Sequence, residues 1–172
     1  MKITTKALLI VGALALAACT NPDRFGGDGG ALDPNAGVNT GVVAGSANDP
    51  SSAAYFQQAV GDRVLFAVDQ SSLTAQGQAT LDGQAAWLTT NADYTAVIEG
   101  HADEQGTREY NIGLGNKRAD AARSYLISKG VPANRLQIVS YGKERPIEVC
   151  SEEACYAKNR RAVTVLAAGL TG

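Results

Sequence analysis

YTAVIEGHADEQGTREYNIGLGNKRADAARSYLISKG, residues 94–130, decides the fold. Its opening run, Tyr94 to Ala102, is mainly apolar and of strand length, which predicts a strand buried on both faces. Glu109 to Lys129 predicts a helix, stopped by Gly130 and then Pro132. Before this unit, Arg63 to Asp69 is rich in strand formers, and Leu81, Ala85 and Leu88 stand at helical spacing within Leu73 to Asn91. After it, Leu136 to Tyr141 alternates as a strand, with Gly142 and Pro146 marking the following turn. A short helix over Glu152 to Asn159 and a last strand over Ala162 to Ala167 complete the chain. Strands alternating with helices predict an α/β two-layer sandwich over residues 53–172. Spacing alone does not give the strand order or which strands run parallel.

The rest of the 172 residues has a different character. Residues 7–18 read ALLIVGALALAA, preceded by Lys2 and Lys6. Twelve apolar residues fall short of the roughly 20 that cross a bilayer as a helix. They suit the apolar region of a secretory signal peptide with a positive leader, which predicts export and cleavage of residues 1–18. Leu16-Ala17-Ala18 runs into Cys19, a string that resembles a bacterial lipobox. That resemblance implies that Cys19 becomes a lipidated mature N-terminus. Acyl chains contribute roughly 0.8 kcal/mol per buried CH₂, so several of them anchor a protein firmly. Thr20 stands where the familiar inner-membrane retention signal has an Asp, so the expected location is the outer membrane, facing the periplasm.

From Thr20 to Ser52 the chain holds seven of its 19 glycines and three of its five prolines, with no sustained period. Residues 19–52 therefore read as a flexible tether behind the lipid. Such a tether has a coil dimension of about 30 Å. Fully extended it would reach roughly 120 Å.

Composition removes several classes. Lys and Arg total 15 against 17 Asp and Glu, so no basic excess points to nucleic acid. Loss of residues 1–18 would leave 13 basic residues against 17 acids, a net charge of −4. One His and three Cys leave little for a zinc site, and no metal or cofactor is expected.

The loop and helix within residues 100–119 carry the candidate chemistry. Asp103 follows a buried strand, where loops commonly present functional groups. Asn111, Leu114 and Arg118 are spaced by three and four, one stripe on the helix. A carboxylate at the helix entrance and a guanidinium two turns in could hold a ligand bearing both ammonium and carboxylate. An internal Asp103–Arg118 ion pair that orients the loop is the equally open alternative.

The string at 100–119, with SYGKERP at 140–146 and KNRRAVTV at 158–165, resembles the OmpA-like domains of the peptidoglycan-associated lipoproteins. The resemblance covers about 110 residues. It implies helices packed on one face of a mixed four-stranded sheet. It also implies non-covalent binding of the peptidoglycan stem peptide through meso-diaminopimelate. In that scheme Asp103 and Arg118 take the amino-acid end of the ligand. Asp69 and Val68 line the same pocket, with Thr107, Asn111 and Leu114 nearby. Members of the family often carry an aromatic residue where Val68 stands, so that wall is expected to be shallower. The resemblance further implies the periplasmic protein TolB as a partner, on a surface overlapping the wall site, and a role in outer-membrane constriction at division.

With Cys19 lipidated, Cys150 and Cys155 remain in an oxidising compartment, which predicts a disulfide closing a small loop before the last helix. His101 beside Asp103 and Glu104 invites a catalytic reading, but the chain offers no second His and no identifiable nucleophile, so a packed His is expected. Arg160, at the start of the last strand, lies near the pocket in the resembled family. Three functions remain distinguishable: a lipid-anchored peptidoglycan tether, a wall-active enzyme such as an amidase, and a protein-docking adaptor. The first accounts for lipobox, linker and site spacing together, and nothing requires more than a monomer.

Overall fold

The structure, a computed structural model, describes residues 43–168. The signal peptide, Cys19 and most of the tether lie outside the described residues. The four strands are β1 Arg63–Leu65, β2 Tyr94–His101, β3 Leu136–Gly142 and β4 Arg161–Ala168. The helices are α1 Ala53–Tyr55, which continues as a wider helical turn over Phe56–Gly61, then α2 Ala75–Thr90, α3 Arg108–Ser128 and α4 Glu153–Asn159.

The strand order is β1-β4-β2-β3. β4 runs antiparallel to both β1 and β2, while β2 and β3 are parallel. The sheet is therefore mixed, and α3 is the crossover between its one parallel pair. Thr74 caps α2 and Thr107 caps α3, each hydroxyl accepting a backbone N–H of the first turn.

β2 departs from the sequence expectation. Ala96, Ile98 and Gly100 are buried, but Thr95 is exposed and Val97 and Glu99 are half-buried, so only one face is fully covered. That face meets the core, where Ile98, Leu81, Leu88, Ala119, Ala122 and Leu126 are each 1% exposed or less. α3 comes unusually close to β2 because both carry glycine at the crossing. A Cβ on Gly100 would stand 1.8 Å from the Gly115 carbonyl oxygen. This contact fixes where α3 begins relative to the end of β2, and hence the loop between them.

β1 is shorter than the Arg63–Asp69 run suggests. The strand ends at Leu65, and Ala67 to Gln70 form a turn in which Asp69 takes a left-handed backbone, φ 57°. Residues 43–52, placed in the tether by composition, make successive hydrogen-bonded turns, and Ser52 caps α1. The Trp87 indole donates to the Pro50 carbonyl at 2.7 Å, and its ring sits 4.9 Å from Phe56 and 5.1 Å from Tyr94. Trp87 is thus a core residue that also holds the entry segment. Cys150 and Cys155 are joined in a disulfide with a Cα–Cα distance of 6.0 Å, tying the loop before α4 to that helix's first turn.

Candidate functional site

At the ends of β1 and β2, beside the N-terminus of α3, lies a pocket of about 260 Å³. Val68, Asp69, Asp103, Gln105, Gly106, Tyr110, Asn111 and Leu114 line it. Five of the seven residues singled out from the sequence thus converge on one concavity from three separate segments. A larger groove of about 560 Å³ between β1 and α2 is walled by Val64, Leu65, Phe66 and the first turns of α2. It lacks the pocket's facing carboxylates, so the smaller pocket is the chemical candidate.

Arg118 and Thr107 do not line the pocket. Thr107 is spent on capping α3, where its hydroxyl accepts from the Tyr110 N–H at 3.2 Å. Arg118 is fully buried beneath the site. Its Nε donates to the Gln70 carbonyl at 2.8 Å, Nη1 to the His101 carbonyl at 2.8 Å, and Nη2 to the Ala67 carbonyl at 3.2 Å. One side chain thereby ties the Ala67–Gln70 turn to the end of β2. The guanidinium also lies 5.4 Å from the Phe66 ring centre, within cation–π range. Burial pulls its pKa down to about 10, with Asp103 working in the opposite direction, so it stays charged at neutral pH.

The ion pair weighed between Asp103 and Arg118 is not the one that forms. Asp103 pairs with Arg160, whose Nη1 donates to Oδ2 at 3.1 Å, while Oδ1 accepts the Gln105 N–H at 3.2 Å. Arg160 is itself buried and paired on its other side with Glu153. Burial works against its charge, but the bonds from Glu153 and Asp103 outweigh it and raise its pKa. Asn111 is buried and donates to the Gln105 carbonyl at 2.7 Å, which shapes the 103–106 loop.

Sequence reading missed three pocket residues, Gln105, Gly106 and Tyr110, of which Tyr110 makes a side-chain bond across the site. The Tyr110 hydroxyl donates to Asp69, a bond that raises the hydroxyl's pKa above the ordinary tyrosine value. The signal for Tyr110 was present as the third residue of the helix, one position before Asn111, but its direction depends on where the Asp69 turn lies. Val68 is half exposed at the pocket mouth.

His101 stands outside this set. It is 1% exposed, with its ring 5.6 Å from Tyr141, and neither ring nitrogen has a hydrogen-bond partner among the described residues. Burial, then the charges of Arg161 and Arg145, push its pKa down to about 4, so it is neutral at pH 7. Among the described residues, no three His, Cys, Asp or Glu side chains converge as metal ligands. The arrangement can hold a cation against two carboxylates, with two guanidinium groups behind them to organise the site and attract an anion.

Comparison with known proteins agrees with this architecture. Residues 65–160 match the OmpA family. The chain is 48% identical to the peptidoglycan-associated lipoprotein of Rhizobium meliloti (strain 1021), over 92% of this chain and 85% of the relative. It is 40% identical to the protein of that name from Haemophilus influenzae, over 92% and 95% of the two chains. The crystal structure of the peptidoglycan-associated lipoprotein from Burkholderia pseudomallei superposes with a TM-score of 0.63 at 39% identity, covering 70% of this chain and 98% of that one. The C-terminal domain of Helicobacter pylori MotB shares the fold at 20% identity and a TM-score of 0.59, covering 63% and 86%.

Proposed function

The chain belongs to the OmpA family and to its peptidoglycan-associated lipoproteins, and from that premise we propose that it tethers the outer membrane to the cell wall. The ligand is the peptidoglycan stem peptide, bound non-covalently through the free end of meso-diaminopimelate. The observation that carries this reading is the pair of carboxylates, Asp69 and Asp103, facing one pocket above the buried Arg118 guanidinium. An ammonium entering the pocket meets the carboxylates, and the buried Arg118 and Arg160 guanidinium groups behind them favour the ligand's own carboxylate through their charge. Leu114 and Val68 supply apolar walls, and Asn111 holds the loop that carries Asp103.

Anchorage follows from lipidation of Cys19 on the inner leaflet of the outer membrane. TolB is the proposed protein partner, competing for the pocket surface, and outer-membrane constriction during division is the process served. The protein acts as a binder rather than an enzyme. Its sole His is buried outside the pocket, and turnover of muropeptides by the pure protein would overturn this assignment.

Membrane fractionation of a Cys19→Ser variant tests the anchor. The expected result is a soluble, unlipidated periplasmic protein; continued membrane retention without detergent would contradict the lipid assignment.

A further inference from the structure

Arg160 is shared between two carboxylates in an unequal way. Its Nη1 lies 3.1 Å from Asp103 Oδ2 and 3.4 Å from Glu153 Oε2, Nη2 bonds Glu153 Oε1, and Nε donates to the Phe66 carbonyl at 3.2 Å. Arginine and a carboxylate prefer two parallel N–H···O bonds. Here Asp103 receives only one, because Glu153 occupies the second terminal nitrogen. Asp103 therefore keeps acceptor capacity facing the pocket.

Glu153 has little to hold it in place by itself. Its side chain is 66% exposed, and it begins a seven-residue helix whose N-cap, Glu152, makes no side-chain capping bond. Helices this short do not persist on backbone hydrogen bonds alone. The covalent restraint at this end is the Cys150–Cys155 disulfide, which brackets Glu153 and fixes the first turn of α4.

We propose that Glu153, seated by the Cys150–Cys155 disulfide, is a positioning residue that keeps Arg160 from closing as a fork on Asp103. It thereby sets the affinity of the pocket for an ammonium-bearing ligand. The inference rests on the reading of the pocket given under Proposed function. Without Glu153, Nη2 is free to turn to Asp103, and the carboxylate that should receive the ligand's ammonium becomes internally neutralised. The disulfide is thus a determinant of binding, besides any contribution to stability.

The test is titration of the full-length chain in detergent with the tripeptide L-Ala-γ-D-Glu-meso-diaminopimelate. Variants are Glu153→Gln, the pair Cys150→Ser/Cys155→Ser, all three together, and Asp103→Ala, with circular dichroism confirming that each is folded. Glu153→Gln alters an exposed side chain and is expected to fold normally. It should weaken binding about three- to tenfold, the serine pair should do the same within a factor of about two, and the triple variant should be no weaker than Glu153→Gln alone. Native affinity in Glu153→Gln, or losses that multiply in the triple variant, would overturn the proposal. Loss of binding in Asp103→Ala with native binding in Glu153→Gln would sink this inference alone. Native binding in Asp103→Ala would sink the pocket reading beneath it.

Discussion

α3 buries one face along its whole length, yet its two halves do so by different physics. In the C-terminal half, Ala119, Ala122 and Leu126 pack into the apolar core and are 1% exposed or less. In the N-terminal half the same face carries Asn111 and Arg118, equally buried. Apolar burial there is replaced by hydrogen bonds to the Gln105, Gln70, His101 and Ala67 carbonyls. Buried polar groups are tolerated only when so satisfied. The apolar half is a scaffold that many side chains could build. The polar half is a lock among three loops, and it lies directly under the pocket.

Truncation at each end of the helix should separate the two. Arg118→Ala leaves three carbonyls without their charged donor and should cost roughly 3–5 kcal/mol of stability in urea unfolding. Leu126→Ala should cost a similar amount, roughly 2–5 kcal/mol, through its cavity. The halves differ in what remains. Folded Leu126→Ala should bind ligand as the native chain does, whereas folded Arg118→Ala should not, because the Asp69 turn and the end of β2 lose their common tie. Equal binding in both would erase the distinction.

A second prediction concerns pH and the other face of the sheet. His101 titrates near pH 6.5 when unfolded and at about 4 when folded. Between those values the unfolded chain binds a proton that the folded chain refuses. Its contribution is complete above pH 6.5 and is lost as pH falls toward 4, about 3 kcal/mol in all. The Glu99 carboxylate stands 3.6 Å from Nε2, beyond hydrogen-bond distance. His101→Leu should therefore flatten the stability profile between those pH values. An unchanged profile would place the acid sensitivity elsewhere. The disulfide is expected to give less: Cys150→Ser/Cys155→Ser should lower stability by about 2 kcal/mol by loop-closure entropy, read as a lower denaturation midpoint.

This same contrast explains what the sequence made legible. Every major element was visible because each has a period or a stop: Gly130 and Pro132 end α3 within a residue or two of its observed end at Ser128. β1 was overestimated because Phe66 to Asp69 have strand composition, while the turn they form depends on Arg118 holding the Ala67 and Gln70 carbonyls. The helical turn at Phe56–Gly61 has no 3.6-residue pattern to announce it. Composition alone assigns the packed turns at 43–52 to the tether, because their anchor, Trp87, lies 37 residues from the carbonyl it binds. Asp103 and its loop were legible from motif and position, yet its partner was not. The Asp103–Arg160 pair spans 57 residues, and only the antiparallel placement of β4 beside β2 brings the two together.

Binding to the wall itself is the most direct test of the account. Full-length protein in detergent would be sedimented with purified sacculi whose stem peptides carry either meso-diaminopimelate or lysine, with Asp103→Ala run in parallel. The account predicts pelleting with the diaminopimelate wall, little with the lysine wall, and at least about tenfold weaker binding by Asp103→Ala, a loss of about 1.4 kcal/mol. Equal pelleting with both walls, or native binding by Asp103→Ala, would contradict it.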